Sequence, residues 1–336
     1  MTLNHVYGWS EETPQSWLDL GVPDAQDYLT EVCKEIVSKY KVDGLNLDYI
    51  RYREGGFGYN PIALERFQKR YNRSERPAPS DEQWNAWRRE QVTNLVRRIF
   101  VETKKIRPEI KLSACSIVWG SITRGYENLP AYKDVAQDWV AWLKEGIIDI
   151  NIPMNYKREE NPEQKQDYRR WVEFMAEQRH GRICVSGVGA YLNSIQGTID
   201  QMKATRDLGA QGACIFRLLA NNKDNLPWQN LLTALKESLY ANPTDVPAFV
   251  PFKKRDTGIF CGTIKRNTQA LDGVKLTLTA ENENAFSTLT DGSGFYAFCN
   301  IPEGKYTLKS DDYLDIKGTF AIKQGKITSG DFHLKI

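Results

Sequence analysis

Five times between residues 43 and 219 a short apolar run follows or precedes a longer stretch with helical spacing. The runs are DGLNLDYIRY (43–52), KLSACSIVWG (111–120), IIDINIPMNY (147–156), ICVSGVGAY (183–191) and GACIFRLL (212–219). Segments 24–40, 61–71, 81–106, 139–146, 163–179, 194–208 and 228–240 read as helices. In the first of these, Tyr28, Val32, Ile36 and Tyr40 recur every fourth position, which stacks them on one helix face. Strands apolar on both faces, alternating with amphipathic helices, predict a parallel sheet covered by helices. No G-x-G-x-x-G turn follows any strand, so a (β/α) barrel is favoured over a nucleotide-binding doubly wound sheet. A complete barrel has eight strands in roughly 250 residues. Five are visible here, and the chain opens almost directly on a helix. The expectation is an α/β fold: an incomplete TIM barrel over 1–240 that lacks about three N-terminal βα units. The alternative is an open five-stranded sheet with two exposed edges.

The pattern changes after residue 240. NPTDVPAFVPF carries three prolines in eleven residues and places a linker at 241–256. Over 257–336 helical periodicity disappears. VKLTLTA, AFSTLT, GFYAF, KYTLKS, GTFAIK and DFHLKI are short alternating runs parted by Gly, Asp and Asn turns. They predict a small all-β sandwich.

Composition narrows the function classes. Lys and Arg total 45 against 43 Asp and Glu, a balance that argues against nucleic acid as a partner. No apolar run approaches the roughly 18–20 residues of a spanning helix, and the opening MTLNHVYGWSEETPQSW reads as no signal peptide. The six cysteines form no C-x-x-C pair and histidines number three, so no metal site and no cofactor is expected. Cys115, Cys184 and Cys214 read as buried thiols. Cys261 and Cys299 fall in the same β region, and spacing leaves their pairing open.

In a (β/α) barrel the chemistry sits at the C-terminal strand ends. In the first run Asn46, Asp48 and Ile50 alternate toward the barrel interior, and Leu45, Leu47 and Tyr49 toward the helices. An inward carboxylate near a strand tip is costly without a task or a partner. Asp48 is therefore either a reacting group or the partner of Arg51, Arg53 or Arg217. The other tips end in Trp119, Asn155 with Tyr156, Tyr191 and Arg217, none of them acidic. Glu54, in the loop beyond Asp48, is the remaining candidate for a second acid, with a solvated loop glutamate as the alternative; Glu127 is a weaker option. Asp149, early in its strand, belongs to the structural end of the sheet. Tyr52, Trp119, Tyr156 and Tyr191 suit stacking on pyranose rings, and Asn46, Asn155, Arg51 and Arg217 suit hydroxyl contacts. Tyr49, on the helix side, reads as core.

YKVDGLNLDYIRYREGGFGYNPIALERF, with Asp43, Gly44, Leu45, Leu47, Asp48, Tyr49 and Tyr52 followed by Phe57, Gly58 and Tyr59, resembles the glycosyl-hydrolase-like family 10, once labelled domain of unknown function 187. WLDLGVPDAQDYL, WNAWRREQVTNLV, DINIPMNY and GVGAY resemble further segments of that family in the same order. The resemblance covers roughly residues 15–230. It implies a TIM barrel acting on an oligosaccharide or polysaccharide, including cell-wall glycans, at an extracellular or cell-envelope location, with Asp48 as the catalytic candidate. Arg53 stands where the family has proline. From Asp291 through Tyr306, DGSGFYAFCNIPEGKY resembles the carboxypeptidase regulatory-like, transthyretin-like sandwich.

Overall fold

Side chains that cap helix starts fix much of the first part of the chain. The computed structural model describes residues 7–10, 13–54, 57–219 and 222–335. A hairpin of β1 (Tyr7–Ser10) and β2 (Thr13–Leu18) precedes α1 (Pro23–Lys39) and β3 (Gly44–Leu47). Next come α2 (Pro61–Tyr71) and α3 (Glu82–Ile106). Asn60 accepts the Ile62 N–H ahead of α2, and Asp81 accepts the Trp84 N–H ahead of α3. Each satisfies a helix-start N–H that has no partner within the helix. Pro61 at the first helical position reinforces the α2 start.

The chain continues through β4 (Lys111–Ser116), a single turn α4 (Pro130–Lys133) and α5 (Trp139–Glu145). β5 (Ile150–Pro153), α6 (Pro162–Glu177), β6 (Ile183–Gly189), α7 (Ile195–Asp207), β7 (Gly212–Phe216) and α8 (Trp228–Ser238) follow. Asn161 and Ser194 cap α6 and α7 in the same way. The strands form one parallel sheet in the order β3-β4-β5-β6-β7, so every sequential neighbour is also a spatial one. β3 and β7 are its edges among the described residues. All five strands end earlier than their apolar runs. Their last residues leave the ladder and form the rim loops. The N-terminal hairpin is a further difference from the expected helical opening.

The C-terminal part is all-β, as its alternation predicted. β8 (Thr257–Arg266), β9 (Gln269–Ala270), β10 (Lys275–Ala280), β11 (Ala285–Leu289), β12 (Phe295–Pro302), β13 (Gly304–Ser310), β14 (Lys317–Ile322), β15 (Ile327–Ser329) and β16 (Phe332–Leu334) make two sheets. One runs β11-β10-β13-β14; the other is built around β8, between β12 and β15. The alternation of β8 and β12 serves two cores. Phe260, Ile264, Tyr296 and Phe298 face the opposite sheet. Ile259, Cys261, Phe295, Ala297 and Cys299 join the core that contains α3 and the parallel sheet. Cys261 and Cys299 are both free thiols.

Ion pairs extend this contact. The Arg66 guanidinium holds both Asp272 oxygens, at 2.8 and 3.0 Å. Ser293 Oγ donates to Asp27 at 2.7 Å. The segment before β8 reaches the N-terminal end of the parallel sheet. There Arg255 bonds the Asp149 carboxylate, which also accepts from Lys104 Nζ at 2.9 Å and from the Leu112 N–H at 2.9 Å. Asp149 and Lys104 are fully buried. The β region thus packs against α3 and the end of the sheet opposite the strand tips.

Candidate functional site at the strand tips

β3 stops at Leu47, and the chain turns sharply through Asp48–Tyr52. Tyr49 takes a left-handed backbone conformation, φ 53°, which few non-glycine residues adopt outside tight turns. Its N–H donates to Asp48 Oδ1 at 2.8 Å and orients the carboxylate. Asp48 is exposed and enters no ion pair with a described residue. Neither Arg51, Arg53 nor Arg217 lies within ion-pair distance of it, although Arg51 is near enough to feel its charge.

The turn is held from beneath by Gln137, which is fully buried. Its Nε2 donates to Ile50 O at 3.2 Å and Cys115 O at 3.1 Å, and its Oε1 accepts the Ile117 N–H at 2.7 Å. One amide therefore joins the tips of β3 and β4. The Tyr52 N–H adds a bond to Val135 O at 2.9 Å. Sequence reading missed Gln137. A buried amide between two loops leaves no periodic signal.

Two aromatic groups share the rim with Asp48. On one side the Arg51 guanidinium lies 5.4 Å from the Trp17 ring, 5.1 Å from Tyr49 and 5.3 Å from Trp119. Such contacts hold a cation by its attraction to the ring faces. Arg51 Nη1 donates to Tyr52 O at 3.1 Å, while Nε has no acceptor. Burial lowers its pKa; Tyr49, Glu54 and Asp48 oppose that. On the other side, at the tips of β5, β6 and β7, Tyr156 stacks on Phe216 at 5.1 Å, and Tyr191 meets both edge-on. Phe216 is 44% exposed and Tyr191 39%. Burial raises the Tyr156 pKa, helped by Cys115, Cys214 and Asp48 nearby. Phe216 and Trp17 were not among the sequence candidates; Trp17 arrives from the β2 hairpin.

The remaining candidates divide. Asn46 is exposed on the inward face; it accepts from Ser113 Oγ at 2.8 Å and donates to Cys115 Sγ at 3.4 Å. Arg217 is exposed just past β7. Three residues differ from their expected surroundings. Tyr52 is 2% exposed and donates its hydroxyl to Asp19 Oδ1 at 3.0 Å, facing the interior under the turn. Asn155 is fully buried and donates to Tyr168 O at 3.0 Å. Tyr49, expected in the core, is 61% exposed. The physical reason is common to Tyr49 and Tyr52: strand alternation ends at Leu47, so period-two counting past that residue assigns the wrong side.

Asp48 and Glu54 border different cavities. The one at Asp48, about 360 Å³, is walled chiefly by apolar groups of α1, α3 and β3, and among the described residues Asp48 is its only acidic lining residue. The one at Glu54, about 850 Å³, is polar and is shared with Glu127. Among the described residues no cluster of three or more His, Cys, Asp or Glu is arranged to hold a metal. No described helix is long and apolar enough to cross a membrane.

A helix-covered parallel sheet carrying an unpaired carboxylate and aromatic groups on its C-terminal tips belongs with the α/β folds that place chemistry on those tips. The catalytic domain of beta-amylase from Paenibacillus polymyxa shares the fold: TM-score 0.50 and 12% identity, over 72% of this chain and 76% of that one. The sequence model of the family glycosyl hydrolase-like 10 matches residues 4–198, more than half of the chain, and the chain belongs to that family. It is 29% identical over 148 residues to the glycosyl hydrolase DigH of Escherichia coli O6:H1, covering 41% of this chain and 31% of DigH. It is 30% identical over 148 residues to the glycosyl hydrolase YngK of Bacillus subtilis strain 168, covering 40% and 27%. The match thus spans about a third or less of these relatives' length.

Proposed function

We propose that this chain acts as a glycoside hydrolase on a polysaccharide or cell-wall glycan, with Asp48 as the carboxylate at the scissile bond. One observation carries the reading: Asp48 stands exposed, without an ion pair to a described residue, at the C-terminal tip of a parallel strand, oriented by a backbone N–H. Membership of a glycosyl hydrolase-like family supports it. In this reading the sheet is five strands of a (β/α) barrel formed by residues 1–240. Residues 241–256 link it to a transthyretin-like sandwich, and the protein works outside the cell or in its envelope.

Glycoside hydrolysis uses two carboxyl groups, about 5–5.5 Å apart for a covalent intermediate or about 6.5–9.5 Å apart when water attacks directly. Asp48 supplies the nucleophile or base; Glu54, across Arg51, is the candidate acid. Arg51 and Asn46 bond sugar hydroxyls, as does Arg217. Tyr156, Tyr191 and Trp119 pack against ring faces.

The test is release of reducing ends from a panel of polysaccharides by the native chain and by Asp48→Asn. The expected loss is about 10²–10⁴-fold, with the fold intact. Unchanged turnover in the variant removes Asp48 from the reaction. A second reading is a non-catalytic glycan-binding protein. It is favoured by the lining of the Asp48 cavity, where Asp48 is the one acidic group among the described residues. Glycan binding without turnover by the native chain selects it.

A further inference from the structure

The cavity that holds Glu54 is not needed to explain Asp48, and its walls have a chemistry of their own. It lies between the loop after β3, the first turns of α3 and the segment after β4, with a volume of about 850 Å³. That is the upper range of small-molecule sites. Four carboxylates line it: Glu54, Glu82, Glu127 and Asp134. Arg88, Arg89 and Lys133 line it too. No pair among these seven groups stands within ion-pair distance. Charges that neither cancel nor dominate leave the cavity close to neutral and rich in free donors and acceptors.

Arg89 uses one N–H on Tyr132 O, at 3.1 Å, and lies 3.8 Å over the Tyr132 ring. That leaves most of its five donors open. Arg88 is 3% exposed, is bonded to Phe57 O at 3.1 Å and to Asn85, and has the buried Asp19 carboxylate and the Tyr52 ring in its neighbourhood. Its Nε meets no acceptor among the described residues, and a buried donor left open in this way is costly unless something meets it. Tyr59 carries Arg76 over its ring at 4.3 Å, so both tyrosines of the cavity are fixed by a stacked cation. The result is a wall of ordered rings set with unspent hydrogen-bonding groups.

We propose that this cavity is a second saccharide site, one that holds an uncharged stretch of a polymeric glycan away from the bond at Asp48. It rests on the glycan reading above and is carried by Arg88, Arg89, Glu127 and Tyr132, with no binding role asked of Glu54. Carboxylates and guanidinium groups in one wall match the paired donors and acceptors of neighbouring sugar hydroxyls. Near-neutrality favours a neutral oligomer over an acidic one.

The experiment is calorimetric titration of the full chain carrying Asp48→Asn with cellohexaose, xylohexaose, mannohexaose, chitohexaose and hexagalacturonic acid. A neutral hexasaccharide is expected to bind, and more tightly than hexagalacturonic acid. Adding Glu127→Ala or Arg89→Ala should weaken it about tenfold. Glu127 is exposed, so its variant keeps the fold even if Arg89→Ala does not. Binding of no hexasaccharide, preference for the acidic one, or affinity unmoved by Glu127→Ala overturns the proposal. Turnover assays separate it from the reading it rests on. If Asp48→Asn keeps full hydrolysis while Glu127→Ala weakens binding, the Asp48 assignment fails alone. If Asp48→Asn abolishes hydrolysis and Glu127→Ala changes nothing, the second site fails alone.

Discussion

Two aspartates mark opposite ends of the parallel sheet, and their surroundings are inverted. Asp149, before β5, is fully buried and holds Lys104, Arg255 and the Leu112 N–H. Asp48, beyond β3, is exposed and accepts one N–H from its own neighbour. At the closed end each charge is answered inside the protein. At the open end a charge is left for something outside it. A carboxylate's partners, more than its place in the sequence, separate the structural acid from the candidate for reaction.

The largest stability effect should come from the closed end. Asp149→Ala leaves Lys104 and Arg255 buried without a counter-ion, which costs about 3–5 kcal/mol. Asp48→Asn should stay within about 0.5 kcal/mol, as for a surface change. Urea unfolding of both variants measures the contrast, and equal losses would dissolve it. Because Arg255 comes from the segment before β8, Asp149→Ala should also loosen the all-β region from the sheet. Two resolved transitions in place of one would report this.

Gln137→Leu comes next. It removes an amide joining Ile50, Cys115 and Ile117 and leaves buried backbone groups unpaired, at about 1–3 kcal/mol for each group that finds no water. Turnover should fall with stability, because the Asp48 turn loses its support. Activity kept at full value in a destabilised Gln137→Leu would show that the turn holds itself. Smaller again is Tyr156→Ala, which removes the ring stacked on Phe216. It should raise KM about tenfold and spare kcat if the ring only binds sugar.

Much of the scaffold was legible because its signals are local. The segment 61–71 was read with its observed bounds, since Asn60-Pro61 announces the start. The parallel sheet followed from runs such as ICVSGVG, apolar on both faces. β8 was not counted as a strand, although it is central to its sheet. Its two-sided burial, half against the facing sheet and half against α3, obscures the alternation that marked its neighbours. At the rim the same counting carried Tyr49 toward the helices and the core and Tyr52 into the site, because nothing in DYIRY says where the ladder stops. The Arg51 cage is assembled by residues from three separate segments, Trp17, Tyr49 and Trp119. Sequence order does not contain that meeting.

The smallest expected effect tests whether the contact between the β region and α3 follows the logic of the closed end. Asp291 is 2% exposed and accepts the N–H groups of Ser293 and Phe295, each at 2.9 Å, with Arg98 3.6 Å away. Burial raises its pKa, opposed by Arg98 and by those N–H groups. A carboxyl group whose folded-state pKa lies above the unfolded value near 3.8 favours the folded chain while protonated. That contribution is whole below pH 3.8 and is lost as pH rises through the folded-state pKa. Asp291→Asn keeps the Oδ1 acceptor and cannot ionise. Its stability should therefore change less than the native chain's between pH 4 and pH 7, with the variant gaining on the native chain toward pH 7. Unfolding midpoints across that range measure the difference. The reverse slope would mean that Arg98 outweighs burial, and that Asp291 is answered as fully as Asp149.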